Sequence, residues 1–148
     1  MSQILIGDIH SALKNFGTYL DNEIEHFKNG MVEYWEAKGS LKSCLDIYIN
    51  EDNSLYFSIP KLKFSCHTRD RFVFFGKTLI AEIEFFFTEK NKDIVVLRCF
   101  ITSTGILTFD APDSEEGHDA SYDQNLELKV VNKLISSASA SGLISVNA

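Results

Sequence analysis

Between Asp8 and Lys38 the apolar residues Ile9, Leu13, Phe16, Leu20, Ile24, Phe27, Met31 and Tyr34 recur at alternating spacings of three and four. That spacing keeps them on one face of a helix, and the stripe is read as core packing. Asp8 or Ser11 stands where a side chain would accept the first free N–H groups. Asn29-Gly30 is expected to break the run, because Gly reaches the left-handed conformation that ends helices. The pattern thus predicts one long helix, then a short one through Tyr34 and Trp35 that ends at Gly39.

The period then changes to two. Leu45, Ile47 and Ile49 alternate with Cys44, Asp46 and Tyr48, and Asn50 to Ser54 is a turn cluster. Leu55, Phe57 and Ile59 resume the alternation until Pro60. The apolar set then shifts parity to Leu62, Phe64 and Cys66, which predicts a bulge or an edge position. His67 to Arg71 reads as the next turn, and Phe72 to Phe75 begins the next strand. Leu79, Ala81, Ile83, Phe85 and Phe87 share a face, with Glu82 and Glu84 opposite. Glu89 to Asp93 is a polar turn. Ile94 to Thr102 is a further strand, which Ile106 to Phe109 extends past Gly105.

Short polar turns between successive strands imply an antiparallel meander and leave no room for crossover helices. Ala111 to Ala120 reads as an acidic loop. Ser121-Tyr122-Asp123-Gln124 fits a capping box, and Leu126, Val130, Val131, Leu134, Ile135 and Ala138 follow with helical spacing. The Ser-Ala rich run at 137–142 closes that helix, and 143–148 reads as a loosely ordered tail. The predicted fold is therefore α+β. An antiparallel meander of about four to six strands packs against a long N-terminal helix and a C-terminal helix, with residues 1–148 as one domain.

Charge changes this picture in one place. Of 21 acidic residues, seven lie between Asp110 and Glu127 with no Lys or Arg among them, and the other 14 balance the 14 Lys and Arg elsewhere. The net charge of −7 is thus a property of one segment. A smaller basic stretch carries Lys61, Lys63, Arg69, Arg71 and Lys77 beside Phe64, Phe72 and Phe74. Basic residues among aromatics can grip single-stranded nucleic acid. The acidic segment would repel phosphate, so these bases are read as the solvent face of a sheet. The 12 Phe, 5 Tyr and 1 Trp supply ample core. Cys44, Cys66 and Cys99 are odd in number, widely spaced and set in apolar segments, so buried reduced thiols and a cytoplasmic location are expected. The start, MSQILIGDIH, has no basic leader region, and no apolar run reaches membrane-spanning length.

Candidate chemistry is sparse. Ile6-Gly7-Asp8-Ile9-His10 resembles the first metal motif of the calcineurin-like metallophosphatases, a resemblance that would make Asp8 and His10 metal ligands. It covers one short stretch, Ser11 stands where many members have Gly, and none of the family's later Asp, Asn and His blocks follows. A two-metal site needs ligands from several strand ends, so Asp8 is read as a helix cap. Cys66 and His67 are neighbours that would point to opposite faces of a strand, and no second ligand pair accompanies them. Placing Gly117 at the sixth position of a calcium-binding EF-hand loop puts Pro112 at the first, which breaks that motif. Ser11 and Ser58 each precede a Lys by three residues, without the companion motifs of Ser–Lys acyl enzymes.

These readings predict a small, acidic, non-catalytic protein-binding module without metal or cofactor. Its partner would be a protein with a basic surface, which it inhibits or chaperones in the manner of an immunity protein or antitoxin. The partner-binding residues would be Asp110, Asp113, Glu115, Glu116, Asp119 and Asp123. The basic hairpin and acidic loop are also complementary, within one chain or between two, which allows a homodimer. The alternative reading is a small apolar-ligand-binding domain with a cavity between sheet and N-terminal helix, walled by Phe57, Phe64, Phe85, Phe87, Phe100 and Phe109. An enzymatic reading would need His67 with Arg69 and Arg71, or His118 with Asp119, gathered in one cleft.

Overall fold

The structure is a computed structural model that describes residues 3–120, 123 and 125–147, with the main chain only at Ser40. The chain opens as a helical segment, α1 (Ile6–Ala12), which runs through a π-helical stretch at Leu13–Gly17 into α2 (Thr18–Ala37). Asp8 caps α1, its carboxylate accepting the Leu5 N–H at 2.9 Å. A short α3 (Gly39–Lys42) leads into the sheet. Among the described residues seven strands follow in order: β1 (Asp46–Ile49), β2 (Leu55–Ile59), β3 (Phe64–Phe75), β4 (Thr78–Glu89), β5 (Lys92–Ile101), β6 (Ile106–Phe109) and β7 (Gly117–Asp119). Each pairs antiparallel with the next, and the meander curls into a half-barrel. Helix α4 (Leu126–Ala140) closes the chain. The α+β architecture with a helix at each end of an antiparallel sheet is as expected, but the strands number seven rather than four to six.

The three additional strand boundaries have local causes. Pro60 starts a 3-10 turn, Pro60–Leu62, and Lys63 takes φ 53°, so the parity shift marks a hairpin connection and not a bulge in one strand. Leu62 is consequently exposed while Phe64 and Cys66 are buried. The Ile94–Phe109 run folds back at Thr102–Gly105 instead of continuing, which makes β6 a separate strand. The segment read as an acidic loop contains β7, paired with β6 through Leu107 and His118. In contrast, His67–Arg71 is no turn. It lies within β3, and the reversal falls at Gly76, where φ is +63°.

One core joins helices and sheet. Leu20, Ile24, Phe27, Met31 and Trp35 of α2 pack with Leu126, Val130, Val131, Leu134 and Ala138 of α4 and with the inner-face residues of the strands. Phe27 meets Phe85 edge-on at 6.4 Å between ring centroids, tying α2 to β4. The predicted break at Gly30 is absent, because burial of Phe27, Met31 and Trp35 outweighs the roughly 1 kcal/mol helical cost of Gly. Gly30 instead gives α4 clearance, since a Cβ there would lie 3.3 Å from Glu127 Oε1. The same stripe does not stay buried at its start: Leu13 and Phe16 are exposed, and α1 has no buried residue. At the other end Leu143 and Ile144 N–H groups donate to the Ala138 carbonyl, and Ile144 is buried. Cys66 and Cys99 are buried as expected, whereas Cys44 is exposed because it precedes β1 in a turn. Ser121, Tyr122 and Gln124 of the expected capping box lie outside the described residues. No helix among the described residues is long and apolar enough to cross a membrane.

Candidate functional site

The acidic segment is held by β6, β7 and the first turns of α4. Asp110 ends β6 in the left-handed region, with φ 70°, and its N–H donates to the Arg98 carbonyl at 2.9 Å. The Thr108 hydroxyl donates to the Ala111 carbonyl at 2.8 Å, pinning the start of the connection to β6. Ser114 N–H closes a turn on the Ala111 carbonyl, after which the chain pairs back as β7. Asp110, Asp113, Glu115, Glu116 and Asp119 are all exposed. The backbone thus presents five of the six proposed partner-binding acids to solvent on one short connection.

The sixth is used internally. Asp123 Oδ2 accepts a hydrogen bond from Lys129 Nζ at 2.7 Å and lies 3.3 Å from His118 Nδ1. The Lys129 ammonium, with the Asn125 N–H, holds the Asp123 carboxyl below the usual aspartate range. His118 is buried on β7 against the Phe109 ring, with Glu116 Oε1 3.4 Å from its Nε2. Lys133, one turn beyond Lys129, stands 3.7 Å from Asp110. Phe109, Glu116, His118, Lys129 and Lys133 line an open cleft of about 310 Å³ between β6–β7 and α4. Lys129 and Lys133 were not anticipated as part of this region, and His118 was singled out only beside Asp119. The spacing of Lys129 and Lys133 by four placed both on one face of α4, but nothing in the sequence oriented that face. Among the described residues, Asp113 and Glu115 make no ion pair.

The basic hairpin is arranged quite differently. Arg69 Nε donates to Glu84 Oε1 at 2.8 Å, and its Nη1 donates to Asp93 at 3.0 Å. Arg98 holds the second Glu84 oxygen at 2.9 Å, and Arg71 holds Glu82 at 2.8 Å. Burial pushes the Glu84 carboxyl up, but the hydrogen bonds from Arg69 and Arg98 outweigh it and hold the group below its ordinary range. Arg69 also covers the Phe86 ring at 4.6 Å. The arginines are therefore committed to cross-strand partners. Next to this network, Tyr48, Tyr56, His67 and Phe86 form a row across β1–β4, with successive ring centroids 4.8, 5.0 and 5.9 Å apart.

His67 and Arg69 line a shared cleft with Asp52 and Ser54, whereas Arg71 opens on a neighbouring one, and His118 lies at the other end of the strand order. Among the described residues no three His, Cys, Asp or Glu side chains are grouped to share a metal ion. Asp8 of the phosphatase-like motif is engaged by the Leu5 N–H, and His10 lies exposed on α1. No protein-family model, curated protein or solved structure matches this chain.

Proposed function

We propose that this chain is a non-catalytic protein-binding module that engages a basic protein surface through the connection from Asp110 to Asp123. The observation that carries the reading is the exposure of Asp110, Asp113, Glu115, Glu116 and Asp119 on a connection fixed at both ends by β6 and β7. Fixed, exposed charges of one sign speed encounter with a complementary surface and disfavour acidic competitors. Lys129 and Lys133 offset only Asp123 and Asp110, so Asp113 and Glu115 keep their charge for a partner. Inhibition or chaperoning of a basic protein, in a reducing compartment such as the cytoplasm, is the finer form of the proposal. Three unpaired thiols support the compartment.

The test is recovery of a basic protein from the source lysate at low salt by the wild-type chain and by the Asp113→Lys/Glu115→Lys double variant. The wild type should retain such a protein, and the variant should lose it while keeping the same circular dichroism. Equal recovery by both, or recovery unaffected by high salt, would overturn the proposal.

A further inference from the structure

We draw no further inference here: the strongest candidate, the exposed apolar face that Ile6, Leu13 and Phe16 form along α1 and its π-helical continuation, is an unpartnered helix face, and nothing in the structure shows what covers it.

Discussion

The ammonium of Lys28, a residue only 1% exposed, donates to the main-chain carbonyl of Asn53 at 2.8 Å. The bond joins the middle of α2 to the β1–β2 turn, where Asn53 takes φ 66°. Asp70 of β3 stands 3.4 Å from the same nitrogen and Glu25 of α2 3.2 Å away, so all three N–H bonds have acceptors. Asn53 returns the contact, its side-chain amide donating to Glu25 at 2.8 Å. Lys28→Met keeps the length of the side chain but leaves two carboxylates and a carbonyl without their shared cation. It should lower unfolding stability by about 3 kcal/mol in urea titrations. Asp70→Asn, at a half-exposed position, should cost less. A Lys28→Met protein as stable as wild type would mean that the ammonium contributes only packing.

Glu84 supplies a pH dependence with a definite sign. Its folded carboxyl titrates below the ordinary 4.5, chiefly because Arg69 and Arg98 overcome the opposing effect of burial. The stabilisation is therefore complete above pH 4.5 and is lost as pH falls through the lower folded value. Glu84→Gln should be less stable at pH 7 by about 2 kcal/mol, the order expected for hydrogen bonds to charged groups. Its stability should also fall less steeply than that of the wild type as the solution is acidified below that ordinary value. Parallel acid limbs for the two proteins would show that other carboxylates govern acid unfolding.

The part of this fold visible in the sequence is the part written in short-range periodicity. Leu79, Ala81, Ile83 and Phe85 of β4 are buried as the alternation predicts, although Glu82 and Glu84 on the opposite face are buried too, and the helical stripe from Leu20 to Met31 is buried in α2. Features that depend on partners distant in sequence were hidden. Arg69, Asp70 and Arg71 have the composition of a turn, yet Glu84 and Glu82 across the ladder make them a strand. β7 has three residues and buries only His118, too few to carry a period. The acidic connection was legible as a run of like charge. Its internal cations were not, because their relevance depends on how α4 lies against β6 and β7. Lys28 was hidden for a related reason: beside Phe27 it interrupts no apolar pattern, and only Asp70 and Asn53 explain a buried ammonium there.

Gly105 closes the β5–β6 turn at φ +81°, and a Cβ on it would lie 2.9 Å from the Tyr19 hydroxyl oxygen. Gly105→Ala therefore has two costs, the left-handed backbone and the displacement of Tyr19. Together they should destabilise the chain by roughly 2 kcal/mol. In a Tyr19→Phe background the contact disappears and the backbone cost remains, so the same substitution should cost about half as much. A double-mutant cycle with no coupling would place the whole effect in the backbone.

The three thiols should separate cleanly in reactivity, because reaction with an aromatic disulfide reagent needs an accessible thiolate. Cys66 and Cys99 are fully enclosed, and burial pushes both thiols far above the ordinary range. Cys44 is exposed, with its Sγ 3.1 Å from the Leu41 carbonyl, in the turn that joins α3 to β1. One thiol of the three should therefore react in a fast phase, and Cys44→Ser should abolish that phase. The other two should react only as fast as the core opens, so urea should accelerate them together. Two fast thiols in the wild type would mean that β3 or β5 opens locally at little cost. Such opening is hard to reconcile with Cys66 paired to Phe57 and Cys99 paired to both Ile83 and Phe109 across neighbouring strands.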